Sequence, residues 1–401
     1  MTELNTLPAD SPSNVIPIDY DIFDDAIRAD PFPIYREIRD SGPVCALTRH
    51  DVFGVARHAE AKSILENWAD FSSASGVTMN SITNEVMNGS LLQSDPPVHT
   101  QMRKVVMRPL APSQLSGLRG RLTELTRERV AQLKGKGPIE IVGQLATLLP
   151  LSVVSELVGL PEEGRDNMLD WANASFNTVA PVGHPRADAG FSVIEGMVKY
   201  LTDPSLPSRL RPGSWAAGLW SEVEAGEISP DDFSSVVQAY VMPSLDTTIY
   251  GMGNLIWLLA SNPDQWALLK SQPALIPRCI NEALRLEAPV LGFVRQATRD
   301  VEVSGIAIPE GARLMMLLGA ANRDERRYEN PDLFDIQRDA RDHLAFGAGI
   351  HRCAGGNLAM LELATVLEEL VKQIDHLELV SELRSDNLGL RGFSEIEMVL
   401  H

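Results

Sequence analysis

The chain has 401 residues, 44% of them hydrophobic and 22% charged, with 35 basic against 54 acidic side chains and a formal net charge of −19. That balance is globular and excludes disorder, collagen and a small disulfide scaffold, while so large an acidic surplus repels phosphate and excludes a general nucleic-acid binder. Cys45, Cys279 and Cys353 are too few and too scattered for a disulfide framework or a zinc cluster, which points to a reducing compartment.

Residues 1–14 are polar and acidic, without the basic and apolar regions of a secretory leader, and are expected to form a flexible segment. A helix is predicted over 33–38, a hairpin over 45–49 and 53–57 around Arg49-His50-Asp51, and a helix over 59–66. Residues 71–94 are rich in Ser, Asn, Gly and Thr and show no clear period. A structureless loop that long has a function, and here it reads as a lid over a site.

The middle of the chain is helical. Leu115, Leu118, Leu122, Leu125 and Val130 step mostly by three and four through residues 111–133. Residues 141–160 are apolar on most sides, and Pro161 with Glu162 and Glu163 looks like another helix start, broken later over 181–185. Helices are predicted over 191–201, 214–225, 231–260, 263–269 and 276–286. Within 236–260 Asp246 is the one charge, but Gln238, Pro243, Ser244, Thr247, Thr248 and Asn254 interrupt the apolar run and no basic cluster flanks it. That is a buried central helix and not a membrane span. Strand-like alternation returns over 299–308, 312–318 and 395–400. With no internal repeat or linker, residues 1–401 read as a single domain, mainly α with a minor β-sheet.

The sharpest signal is Phe346-Gly347-Ala348-Gly349-Ile350-His351-Arg352-Cys353-Ala354-Gly355, followed by a helical run over 357–371. The glycines permit backbone angles closed to other residues. The cysteine falls just before a helix, whose N–H groups stabilise a thiolate. Such a thiolate can be a nucleophile, a redox sensor or an iron ligand. One cysteine cannot hold an iron–sulfur cluster, whereas a haem iron needs only one.

This segment resembles the haem-binding loop of the cytochrome P-450 superfamily, and the resemblance extends over nearly the whole chain. It implies the P-450 fold, haem b as cofactor, Cys353 as the proximal thiolate and metal ligand, and His351 hydrogen-bonded to a haem propionate. Asp95-Pro96-Pro97-Val98-His99-Thr100 and Arg103 match another family segment. His99 and Arg103 share a helical face, and with Arg295 of Phe293-Val294-Arg295-Gln296-Ala297 they are expected to reach a propionate. Glu282-Ala283-Leu284-Arg285, completed by Arg338, matches the family's buried structural network under the haem loop. Asp246-Thr247 matches its acid–alcohol pair, which orders water and delivers protons. Pro243 and Ser244 depart from the pattern, since small residues usually precede the pair. A proline inside a helix removes a hydrogen bond and predicts a kink there.

The resemblance implies a soluble, cytoplasmic monooxygenase that inserts one atom of O2 into a small organic substrate by hydroxylation or O-demethylation. No flavin or ferredoxin signature is visible, so electrons would come from a separate ferredoxin and its reductase. Arg103, Lys104, Arg108 and Arg352 predict a locally basic face for an acidic partner. A peroxide-driven peroxygenase is a rival that Asp246-Thr247 disfavours, and a haem-based gas sensor is the non-enzymatic rival. Family alignment places Phe176, Val179, Met242, Val290, Phe293, Val294 and Phe393 around the substrate, favouring a compact apolar or aromatic molecule. Pro150-Leu151-Ser152-Val153, Leu245-Asp246-Thr247-Thr248 and Gly319-Ala320-Ala321-Asn322-Arg323-Asp324 are similar to the branch that oxidises para-substituted benzoates. That branch anchors the substrate carboxylate partly through a lid arginine, but residues 71–94 contain no Lys or Arg. A neutral methoxyphenol or aryl ether therefore fits as well as a benzoate, with a terpenoid or other larger hydrophobic substrate as the alternative.

Overall fold

The computed structural model describes Pro12 and residues 14–401, so most of the segment expected to be flexible lies outside the described residues. The strands, in chain order, are β1 (Ile16–Ile18), β2 (Cys45–Leu47), β3 (Val52–Val55), β4 (Phe71–Ser72), β5 (Ile139–Glu140), β6 (Gly292–Ala297), β7 (Val301–Val303), β8 (Ile306–Ile308), β9 (Arg313–Leu317), β10 (Leu377–Arg384) and β11 (Phe393–Leu400). The helices that place the site are α1 (His58–Glu66), α2 (Ser81–Val86), α3 (Val98–Met107), α4 (Pro112–Leu133) and α5 (Met168–Asn177). They continue as α6 (Pro230–Ser244), α7 (Asp246–Ser261), α8 (Ile276–Leu286) and α9 (Gly356–Gln373).

Helices dominate because apolar residues recur at helical steps. In α4 the stripe Leu115, Leu122, Val130 and Leu133 is buried, and the helix packs against α9. Each such leucine contributes about 1.5–3 kcal/mol of burial. α7 is buried almost all round, from Thr248 to Ala260, with Trp257 as the partly exposed exception. Among the described residues no helix is long and apolar enough to cross a membrane.

A six-stranded sheet in the order β1-β2-β3-β9-β6-β4 lies to one side of the helices, with a three-stranded sheet β10-β11-β5 and the hairpin β7-β8. The expected hairpin is present as β2 and β3, antiparallel, with Asp51 at φ 50° in its turn. β6 and β10 were not predicted as strands. β6 is held between β9 and β4, and β10 runs antiparallel to β11 with register shifts. Their pairing partners lie far away in sequence or past an irregular register, where local periodicity is silent.

Two other expectations need correction. Residues 71–94 are not structureless: β4 and α2 form within them, with the Asn80 side chain accepting from the N–H groups of Ile82 and Thr83 to cap α2. The run over 231–260 is two helices, interrupted at Leu245 (φ −91°, ψ −72°). Pro243 lacks an N–H, so the ladder fails there, and side-chain hydroxyls take over. Ser244 Oγ donates to the Tyr240 carbonyl and Thr247 Oγ1 to the Pro243 carbonyl. The kink expected at Pro243 is thus a full break.

Candidate active site

Cys353 sits in a loop that only glycine can shape. Gly347 and Gly349 hold φ of 66° and 68°. A Cβ on Gly349 would stand 2.3 Å from the Leu65 carbonyl oxygen at the end of α1. The Cys353 N–H donates to the Phe346 carbonyl at 2.8 Å, and α9 starts three residues later. Burial raises the thiol, while the Gly355 N–H, Arg103, Arg352 and the Gly356 N–H pull it down. Cys353 nevertheless keeps exposed surface. A thiolate desolvated by burial needs a cation in contact, and an iron ion meets that need.

The loop rests on a buried polar frame. Arg285 Nε and Nη2 donate to the two Glu282 oxygens at 2.7 and 2.8 Å, and Arg338 Nε to Glu282 Oε1 at 3.0 Å. Glu282 and Arg285 have fully buried side chains. Arg285 Nη1 also donates to the carbonyls of Asn322 and Pro331, both at 2.8 Å. Asn322 in turn accepts from the Leu344 N–H at 2.7 Å, on the approach to the cysteine loop. Sequence reasoning missed this role of Asn322. An uncharged side chain on a buried turn carries no pattern of its own.

His99, Arg103, Arg295 and His351 come together. The two imidazoles lie 4.4 Å apart by centroid, and both Nε2 atoms are buried without a partner among the described residues. Burial, with Arg295, His99 and Arg103 nearby, pushes His351 down to about 3, and burial with Arg103 lowers His99. Arg295 is 3% exposed, donates to its neighbour Val294's carbonyl at 2.8 Å, and is lowered by burial to about 10. Asp95, the acid nearest to it, already accepts from Ser72 Oγ and the Ser73 N–H. Arg103 donates to the Arg352 carbonyl at 2.5 Å. Among the described residues neither arginine has an ion-pair partner. Burial lowers Arg103, Arg295, His99 and His351 alike, and Asp95, the acid that opposes this at Arg295 and His99, already accepts elsewhere; such a donor set suits a group bearing two carboxylates, as haem b does.

Asp246 opens α7 at the break, 6% exposed, with Oδ2 unpartnered. Burial, aided by Asp170, raises its carboxyl to about 7. Thr247 follows with its hydroxyl 2.7 Å from the Pro243 carbonyl. An acid raised to this range can hold and release a proton at neutral pH.

Of the expected substrate-contacting residues, Phe176, Val179, Val290 and Phe293 meet at one cleft, joined by Val77, Thr78, Met79 and Gly389. The fit is tight, since a Cβ on Gly389 would be 2.6 Å from the Phe176 carbonyl oxygen. The structure does not bring the other three there. Met242 packs on the main core. Val294 is fully buried on the sheet face opposite Phe293, because successive strand residues point to opposite faces. Phe393 packs on Trp257 at 5.1 Å and under Arg384 at 3.8 Å, while Gly389 of the preceding loop reaches the cleft. A larger surface depression of about 660 Å³ lies between α1 and the β7-β8 hairpin, shares no residue with this cleft, and has Asp70 and Arg299 already paired.

Residues 79–83 are tied to the turn that follows α5. Asn80 Nδ2 donates to the Ala180 carbonyl at 2.7 Å, Thr83 Oγ1 to that of Thr178 at 2.6 Å, and the Met79 N–H to that of Val179 at 3.1 Å. The cleft between these segments measures about 20 Å³, room for a single water, so a ring-sized molecule would fit there only with the segment over 77–86 moved aside.

The family model for cytochrome P450 matches residues 264–393. The chain is 35% identical over 380 residues to cytochrome p450 CYP199A2 of Rhodopseudomonas palustris, covering 93% of this chain and 91% of that one. It is 32% identical to the beta-dihydromenaquinone-9 omega-hydroxylase of Mycobacterium tuberculosis, over 95% of this chain and 78% of the relative. Among solved structures, the myxobacterial cytochrome P450 CYP267B1 in complex with myristic acid superposes with a TM-score of 0.82 at 27% identity, covering 95% of this chain and 98% of that one. With two relatives above 30% identity along almost its full length, the chain belongs to the cytochrome P450 family and is a haem b monooxygenase.

Proposed function

We propose that this monooxygenase hydroxylates or O-demethylates a small, ring-bearing organic substrate in the cytoplasm, with electrons from a separate ferredoxin and its reductase. The observation that supports the substrate class is the cleft under the lid. Its walls are Phe176, Val179, Val290, Phe293 and Met79, and its one hydroxyl is already engaged. Thr78 Oγ1 shares its proton between the Asn80 carbonyl and Asn84 Oδ1 and accepts from the Asn80 N–H, so it has no proton to donate to a ligand and at most one lone pair left to accept.

Bound haem supplies the activation of O2 that inserts one oxygen atom into the substrate. Cys353 would hold its iron, and His99, Arg103, Arg295 and His351 its propionates. Asp246 keeps a proton at the helix break, Thr247 passes it on, and the latched lid excludes water. Lys104 is exposed and has no ion-pair partner among the described residues, whereas Arg108 is neutralised by Glu222. The proposed docking face therefore loses Arg108 and rests on Lys104 with Arg103 and the exposed Arg352, so Lys104→Glu would slow reduction by an acidic ferredoxin at low salt.

Titration of the haem spin state tests the substrate class. Tight binding of 4-methoxybenzoate or 4-methoxyphenol is expected. The relative named for a menaquinone carries the second reading, and tight binding of terpenoid quinones alone would replace the first.

A further inference from the structure

Phe23 also lines the cleft, from the turn between β1 and the short helix Asp25–Ala29. It is 3% exposed, and none of the cleft residues expected from the sequence lies in this turn. The turn is knitted around Asp21. Its Oδ1 accepts from the Phe23 N–H at 2.9 Å, and its carbonyl from the Asp24 N–H at 3.0 Å. Against the turn stands His50, from the connection between β2 and β3, with its side chain 3% exposed. His50 meets Phe23 edge-on, with ring centroids 5.5 Å apart and planes at 89°, a favoured geometry for two rings. A phenyl ring that borders the cleft is thus held by an imidazole from another part of the chain.

One atom of His50 faces two partners that it cannot serve together. Nε2 accepts from the Ile22 N–H at 3.3 Å and lies 3.3 Å from Asp21 Oδ1. The Ile22 bond requires a bare Nε2, so the imidazole is neutral with its proton on Nδ1. A protonated Nε2 donates to Asp21 Oδ1 instead, and the Ile22 N–H is left facing a donor. Two charged groups act on the ring, Asp21 from the turn and Arg49 beside it in the hairpin. Burial holds His50 below its ordinary 6.5, opposed by Asp21 and assisted by Arg49, so the ring takes a proton only in acid. Asp21 is 44% exposed, which lets protons reach the pair from solvent.

We propose that Phe23 is a specificity-determining wall of the substrate cleft and that His50 is its positioning residue. The neutral imidazole fixes the turn, and a proton on Nε2 releases Phe23. The inference rests on the reading that this cleft admits the substrate. Once residues 77–86 move aside, Phe23 still bounds the length of ring compound that fits.

The test is spin-state titration of the haem-loaded full chain with two phenols, 4-methoxyphenol and the longer 4-benzyloxyphenol, at about pH 8 and about pH 5, a range in which phenols stay neutral. In the wild type the shorter phenol should bind more tightly at the higher pH, and its advantage should shrink roughly threefold or more at the lower. His50→Gln is neutral throughout and can accept from the Ile22 N–H, so it should keep the preference and lose its pH dependence. Phe23→Ala should shift the preference toward the longer phenol roughly tenfold at both pH values, and Phe23→Leu provides the same comparison should the alanine variant lose haem. A preference that ignores pH in the wild type, or that follows pH equally in His50→Gln, overturns the role of His50. A merely structural histidine would weaken both phenols alike. A preference untouched by the Phe23 variants overturns the wall. Hydrogen exchange at the Ile22 N–H needs no substrate: measured relative to His50→Gln at the same pH, it should quicken about tenfold or more between the two pH values. If neither phenol binds while this exchange responds, the ring-substrate reading falls and the hold of His50 on the turn stands. If neither phenol binds and the exchange does not respond, both fall.

Discussion

His99 and His351 face each other with ring centroids 4.4 Å apart, each burying an Nε2 that no described group satisfies. An unsatisfied buried nitrogen costs about 1–3 kcal/mol, and the proposed propionate contacts would relieve that cost at both rings. His351→Leu should fold and keep a thiolate-type spectrum, yet release haem about tenfold faster or more. Transfer of haem to apomyoglobin measures this, and an unchanged rate would sink the assignment. Cys353→Ser should behave differently, folding without the band near 450 nm in the reduced, CO-bound state.

The second prediction concerns protons. Thr247 donates across the break to the Pro243 carbonyl and follows Asp246, whose carboxyl is raised by burial, in the chain. Thr247→Ala leaves the helix start and haem ligands in place. It should retain haem and substrate affinity while diverting electrons to peroxide or water. Product formed per NADH consumed is the readout, with several-fold loss expected; an unchanged ratio would show that Asp246-Thr247 is not the relay.

Stability should fall with rising pH through two buried carboxyls. Glu362 in α9 is 1% exposed, has an unpartnered Oε1, and is raised by burial from 4.5 to about 8; Asp246 is raised from 3.8 to about 7. The folded chain thus keeps protons that the unfolded chain has released between these values. Stability is full below the unfolded values and is lost as pH climbs through the folded ones. Glu362→Gln, neutral at every pH, should raise the urea midpoint at pH 9 by the equivalent of a few kcal/mol and leave it nearly unchanged at pH 4. A midpoint shift independent of pH would contradict this.

The lid latch can be tested by an isosteric change. Thr83→Val keeps the shape of α2 but removes the donor to the Thr178 carbonyl, a bond between two buried groups. The expected cost is about 1 kcal/mol or somewhat more, because the carbonyl is left unpaired. Substrate association and dissociation should both quicken, with little change in haem affinity. Hydrogen exchange in residues 77–86 should speed up in step. Exchange as slow as in the wild type would mean that the latch does not hold the lid.

What the sequence determined by itself is local. Gly347 and Gly349 announce a loop that other residues cannot follow, Cys353 stands at a fixed step from α9, and Pro243 marks where a helix must kink. These features arise from covalent geometry and backbone hydrogen bonding within a few residues, so they are legible in order along the chain. Tertiary structure alone decided the rest. Asn80 meets the Ala180 carbonyl across 100 positions, and Arg313 meets that of Thr78 across 235. The strand β6 turns Phe293 to the cleft and Val294 to the opposite face, and the turn before β11 puts Gly389, not Phe393, at that cleft. Such contacts are set by how sheets pair and how loops close over them, and no spacing in the chain records which distant carbonyl a side chain will find.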